Sequence, residues 1–303
     1  MSRIHDALKK AEQEKAAGLV AEGVAGPRRA IRYVAPPSDV QPERAGGQAR
    51  KPGQLLREDP VKVGLLKTLE ERCRQCTWAP HPNLNLFMEA KNHPPGAEEF
   101  RSLRSRLYLT RAQQPLRKLL ITSALPEEGK TFASLNLSLV MAQQPQCRVL
   151  LIDADLRLPQ IYRLLGAPAT PGLSDYLDGT VDEFAIVQQG ALQNFYFIPS
   201  GKLVPNPSEL IGNGRLQVLL NRLAPAFEWV ILDSPPVIPV SDARLLAGMC
   251  DGTLLLVRAG QTPFDLARKA CMEFRDRGLL GVVLNGVQVT SNYSNYYGRP
   301  GKE

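Results

Sequence analysis

Between residues 94 and 287, short apolar runs alternate with longer stretches in which apolar residues recur every three or four positions. The short runs lie at 118–122, 148–153, 194–199, 229–233, 253–257 and 281–285. They lack the polar alternation of a half-exposed strand and predict strands buried on both faces. The longer stretches predict helices at 96–111, 131–144, 208–223, 241–249 and 263–277. Strand and helix in turn specify an α/β domain over 94–287, a mostly parallel sheet covered by helices on both faces. Ahead of it, Ile4, Ala7, Leu8 and Ala11 fall at i, i+3, i+4 and i+7, which predicts a short amphipathic helix over 1–17. Residues 18–93, with Pro36-Pro37, Gly46-Gly47 and Pro52-Gly53, predict a flexible, largely disordered linker, least ordered from 18 to 60. The polar stretch 288–303 predicts a mobile tail.

Composition narrows the setting. The 44% hydrophobic content suits a packed core and excludes wholesale disorder. A formal net charge of +7 suits an anionic partner. Much of that excess lies in connecting stretches, at Arg28, Arg29, Arg44, Arg50 and Lys51, where solvated linker is the simpler reading. No basic stripe interleaves with aromatics, so no nucleic-acid partner is expected. No apolar run reaches the roughly 18 residues that cross a bilayer, and Met1-Ser2-Arg3-Ile4-His5-Asp6 has no apolar segment to serve as a secretory signal. These features place the protein in the cytoplasm, as do five dispersed cysteines. Cys73 and Cys76 have the spacing of half a zinc site that His81 and His93 would complete. The histidines are far apart and no second such pair exists, so ordinary thiols are the better reading.

The chemistry sits where strands end. Ala124-Leu125-Pro126-Glu127-Glu128-Gly129-Lys130-Thr131 joins the strand at 118–122 to the helix opening at Thr131. A phosphate cradle needs amides converging at a helix N-terminus, a lysine for the β- and γ-phosphates and a hydroxyl for Mg²⁺. Residues 127–131 supply these: the amides of Glu127, Glu128, Gly129 and Lys130, the Lys130 ammonium and the Thr131 hydroxyl. Ala124 stands where the general pattern has its first glycine. A second apolar strand ends in Asp153 and Asp155, whose i, i+2 spacing puts both on one side of an extended chain. A third ends in Asp233, before Pro236. Carboxyl ends of parallel strands are where open α/β sheets bind ligands. The reading is a P-loop NTPase using ATP and Mg²⁺, the metal set by Thr131, Asp155 and Asp233. Lys130 acts on the phosphates, and Asp153 or Asp155 orients an acceptor hydroxyl. Asn285, ending the last strand, is either a reader of the adenine edge or a strand-end turn residue.

Together these elements resemble the bacterial tyrosine kinase family of polysaccharide synthesis, over about residues 94 to 298. That family's first motif accepts alanine at position 124. Its second ends D-x-D-x-R, met by Asp153, Asp155 and Arg157, and its third ends D-x-x-P, met by Asp233 and Pro236. The resemblance implies Arg157 at the nucleotide. Glu98, Arg101 and Arg104 match the E-x-x-R-x-x-R helix by which the family forms homo-oligomeric rings. Ile198-Pro199-Ser200-Gly201 and Pro205-Asn206-Pro207-Ser208-Glu209 also look like the family. The opening Met1 to Glu12 resembles the autokinases of exosortase-linked exopolysaccharide systems.

The resemblance implies an ATP-dependent tyrosine autokinase regulating exopolysaccharide or capsule chain length and export. Its acceptors would be Tyr293, Tyr296 and Tyr297, a sparser cluster than the family usually carries. A membrane-anchored copolymerase, not fused here, would be the activator that recruits it to the inner face of the cell membrane. Two other readings stay open. A partition- or septum-positioning ATPase would carry a signature lysine where this chain has Leu125. An ATP-loaded scaffold of the export machinery would make no phosphotyrosine.

Overall fold

The computed structural model of the chain describes residues 29–34, 60–81, 87 and 96–288. In chain order the elements are β1 (Arg29–Val34), α1 (Pro60–Arg72), β2 (Arg74–Gln75), α2 (Ala97–Gln113), β3 (Lys118–Ser123), α3 (Lys130–Ala142) and β4 (Val149–Asp153). They continue with α4 (Ile161–Leu165), α5 (Leu173–Leu177), β5 (Gln188–Gln189), β6 (Phe195–Ile198), α6 (Pro207–Gly212), α7 (Arg215–Leu223) and β7 (Trp229–Asp233). The last are α8 (Asp242–Ala247), β8 (Gly252–Arg258), α9 (Phe264–Glu273) and β9 (Leu279–Gln288).

All strands join one sheet in the order β1-β9-β8-β3-β7-β4-β6-β5-β2. From β9 to β6 every neighbouring pair is parallel. The antiparallel pairings lie outside that block, β1 on β9 and β5 on β6. Successive side chains of a strand point to opposite faces, and here both faces are apolar and covered. Leu120, Leu150, Ile152, Val230 and Leu232 pack toward α5, α7, α8 and α9. Leu119, Ile121, Val149, Leu151, Trp229 and Ile231 pack toward α2, α3 and α4. That is why these runs show no polar alternation. Each residue buries its side chain in one layer or the other, worth roughly 1.5–3 kcal/mol for a full-sized apolar group. The α/β fold read from the pattern is the one observed.

Two expectations change. The span 18–93 is not all linker, since it holds β1, α1 and β2. On α1, Leu69 is buried, and Leu65 and Leu66 pack against the same layer. Beyond β2, Trp78 meets Phe195 and Phe197 edge-on at 5.6 and 6.4 Å. A Cβ on Gly190 would lie 2.4 Å from that indole, so the ring is seated against bare backbone. The helix expected at 208–223 is two helices, because Gly214 adopts a left-handed φ of 85° between them. The expected helix over 1–17, the tail from 289 and its tyrosines lie outside the described residues. Among the described residues no helix is long and apolar enough to cross a membrane. Cys73 accepts a hydrogen bond from Gln75 Nε2 at 3.4 Å, and His93 of the half zinc site lies outside the described residues.

Candidate functional site

Parallel pairing sets the carboxyl ends of β3, β7 and β4 side by side. Ile121 is level with Asp233, and Asp233 with Asp153. The loop after β3 therefore opens directly over two acids. Leaving β3, the Ala124 N–H donates to Leu256 O of β8 at 3.2 Å and the Leu125 N–H to Glu128 Oε2 at 2.8 Å. Glu127 takes φ 63°, and Gly129 reaches φ 90° as the residue that caps α3. The loop closes on the first turn of α3, where peptide N–H groups and the helix dipole favour an anion.

Lys130 opens α3. Its Nζ lies 2.8 Å from Asp155 Oδ2 and 3.3 Å from the Thr131 hydroxyl. Thr131 Oγ1 donates to Asp233 Oδ2 at 2.8 Å, and Ser134, one turn on, donates to Asp233 Oδ1 at 2.9 Å. Asp155 Oδ1 accepts the N–H groups of Arg157 and Leu158, at 3.3 and 3.0 Å. Asp153 accepts the Ile161 N–H at 3.2 Å through Oδ2, while its Oδ1 meets no donor among the described residues. Asp153, Asp155 and Asp233 are 0, 3 and 1% exposed, so this is a buried cluster of acids around one lysine.

Its electrostatics follow. Burial pushes the Asp153 carboxyl well above the usual carboxylate range, and Asp233 and Asp155 push it further. Asp233 is also raised, burial again leading, though Lys130 and the Thr131 hydroxyl pull it back. Burial alone would lower Lys130, but Asp233 and then Asp155 outweigh it and raise its pKa. Charge is therefore unbalanced, with more buried carboxylate than cation. An orphaned acid oxygen beside a hydroxyl, an ammonium and a helix N-terminus fits a divalent cation together with a phosphate chain.

The remaining candidates are placed differently. Arg157 turns to Asp242 at the start of α8, with Nε to Oδ2 at 2.7 Å and Nη2 to Oδ1 at 3.1 Å. Its Nη2 also meets Ser208 Oγ at 2.9 Å. Asp242 is fully buried; burial would raise its pKa, but Arg157 and Ser208 outweigh burial and lower it. Asp242 is not among the candidates named from the motifs, although an acid in the first turn of the helix after the Asp233 strand is a visible signal. Asn285, read as either an adenine contact or a strand-end turn residue, donates to Glu128 O at 2.8 Å. The Glu128 side chain is likewise spent inside the loop, on the Leu125 N–H and the Thr262 hydroxyl. Glu98 and Arg101 pair at 3.1 Å on α2, while Arg104 reaches across to Val140 O in the last turn of α3 at 2.8 Å.

No protein-family model matches the chain. Over 205 residues it is 33% identical to the tyrosine-protein kinase YwqD of Bacillus subtilis, a match covering 67% of this chain and 86% of that protein. It is 33% identical over 202 residues to the tyrosine-protein kinase Wzc of Salmonella typhimurium, covering 66% of this chain but 28% of that longer protein. The kinase domain of the Escherichia coli tyrosine kinase Etk superposes with a TM-score of 0.65 at 31% identity, covering 77% of this chain and 91% of that domain.

Proposed function

The chain belongs to the bacterial tyrosine-protein kinase family, and we propose that it transfers the γ-phosphoryl group of ATP to tyrosines of its own tail, Tyr293, Tyr296 and Tyr297. The observation that carries this reading is the buried, charge-unbalanced cluster of Asp153, Asp155, Asp233 and Lys130 under the phosphate loop. Magnesium-bound ATP supplies the transferable group and the charge that eases its transfer. The amides from Glu127 to Thr131 and the Lys130 ammonium hold the phosphates. Thr131, Asp155 and Asp233 hold Mg²⁺, directly or through water. Of the two acids that can orient the phenol, Asp153 is better suited to take its proton. Its Oδ1 is unengaged, and its raised pKa narrows the gap to a phenol. Asp155, by contrast, is tied to Lys130 and two backbone amides.

The role follows the family. The kinase serves the regulation of capsule or exopolysaccharide chain length and export, acting as a ring built through Glu98, Arg101 and Arg104. A membrane-anchored copolymerase activates it and holds it at the inner face of the membrane. Phosphorylated tails, each phosphate adding about −1.5 to −2 charge, would loosen the ring by repulsion. Incubation with Mg²⁺ and ATP followed by mass spectrometry of the tail tests the activity. Phosphate on Tyr293, Tyr296 or Tyr297 is expected, and a tail that stays unmodified even with the membrane activator present would overturn it in favour of the scaffold reading.

A further inference from the structure

In a trans peptide the carbonyl and the following N–H point in opposite directions, so a group that holds the carbonyl aims the amide. Behind the phosphate loop, two side chains hold successive carbonyls. Arg258, which ends β8, donates from Nη1 to Glu127 O at 3.2 Å. Asn285, on β9, donates from Nδ2 to Glu128 O at 2.8 Å. The amides turned the opposite way are those of Glu128 and Gly129, the two that precede Lys130. Neither meets an acceptor among the described residues. The Asn285 contact is close enough to dictate sequence: a Cβ on Gly129 would lie 2.1 Å from Asn285 Nδ2.

The same corner is braced a third time. Thr262 Oγ1 accepts the Arg258 N–H at 2.8 Å and donates its own proton to the Glu128 carboxylate. That carboxylate is nearly fully buried, and its other oxygen takes the Leu125 N–H at 2.8 Å. The Ala259 N–H donates to Asn285 O at 2.8 Å, which ties the two donor strands together just behind the loop. Two donors from the β8 and β9 ends thus grip successive carbonyls of the loop, and Thr262 holds the Glu128 side chain beside them.

We infer that Arg258, Asn285 and Thr262 are positioning residues for phosphate binding, fixing the peptide planes at 127–129 so that the Glu128 and Gly129 amides converge on the phosphate chain. This rests on the reading that the loop binds nucleotide phosphates. It assigns Asn285 to the phosphates and takes it away from the base, so its effect is blind to which base is attached.

Calorimetric titration of the full chain with inorganic tripolyphosphate, and with non-hydrolysable ATP and GTP analogues, separates the two roles. Asn285→Ala should weaken all three by the same factor, on the order of tenfold, the worth of one well-made hydrogen bond that organises a charged site. Arg258→Met should act in the same direction. Thr262→Val should do so too, with Thr262→Ser restoring binding. If Asn285→Ala does not fold, the Arg258 variant and the Thr262 pair give the same readout. Unchanged tripolyphosphate affinity in Asn285→Ala and Arg258→Met, or a changed preference between the ATP and GTP analogues, overturns the inference while leaving the nucleotide site standing. A wild-type chain that binds neither tripolyphosphate nor the ATP analogue removes the nucleotide reading itself, and this inference with it.

Discussion

Asp242 and the cluster of Asp153, Asp155 and Asp233 are all buried at the carboxyl edge of this sheet, and they are built on opposite plans. Asp242 is fully buried and fully answered, by a two-point contact from Arg157 and a hydroxyl from Ser208. Asp153, Asp155 and Asp233 are as deeply buried, yet share one lysine and leave an oxygen of Asp153 without a donor. A buried charge that is matched lowers its own pKa and holds elements together, here the second acidic loop to α6 and α8. A buried charge that is unmatched raises its pKa and destabilises the empty fold, and such clusters gather at functional sites. The difference in compensation, more than burial, separates the brace from the site.

The largest effect should come from the one cation in the unmatched cluster. Lys130→Met is expected to reduce phosphotyrosine formation by about 10²–10³-fold or more, the scale of losing a preorganised charge from a transfer site. Undiminished labelling on an anti-phosphotyrosine blot would remove Lys130 from the mechanism.

Asp153→Asn should split activity from stability. Phosphorylation should fall about 100-fold or more if Asp153 takes the phenol proton, while the ligand-free protein becomes more stable. The folded pKa of Asp153 lies above its unfolded value. The native state then binds more protons, and stability is lost as pH rises through the folded pKa. Asparagine removes that loss. Thermal unfolding at pH 7.5 should show a midpoint raised by roughly 3 °C or more, with the gain disappearing near pH 4. A lowered midpoint at neutral pH would show that the acid cluster is not under charge strain.

On the matched side, Arg157→Ala should destabilise the fold by about 2 kcal/mol, less than for a fully buried pair because the guanidinium is partly solvated. Denaturant unfolding measures it, and no change would mean that Asp242 finds another partner or water. The smallest intramolecular effect belongs to α2. Arg101→Ala breaks the surface pair with Glu98 and removes a guanidinium from above the Phe87 ring, and should cost about 1 kcal/mol or less. Combined with Arg104→Ala it should still shift sedimentation toward monomers and lower phosphorylation. An oligomer that persists in the double variant would take the ring away from this helix.

What the sequence disclosed, and what it hid, follows the same division. Strands buried on both faces announce themselves as unbroken apolar runs, and β7 was bounded to the residue at 229–233. Lys130 and Thr131, opening the helix after β3, meet Asp155 and Asp233, at or just past their strand ends, as the motif positions implied. Side-chain direction was not legible. The resemblance implied Arg157 at the nucleotide and the strand end left Asn285 between adenine and turn, and neither hinted at the hydrogen bonds they make, to Asp242 and to Glu128 O. Partners 85 and 157 residues away leave no local pattern. The helix at Pro60–Arg72 was hidden by Pro- and Gly-rich flanks, since its burial depends on a sheet built from residues far downstream.

If the unmatched acids take a cation and a phosphate chain, nucleotide binding must depend on the metal. Titration of the full chain with a non-hydrolysable ATP analogue should give an affinity at least about tenfold higher with Mg²⁺ than with chelator, a difference of about 1.4 kcal/mol. Asp233→Asn should erase most of that difference. Equal affinity with and without Mg²⁺ in the wild-type protein would take the cation away from these acids.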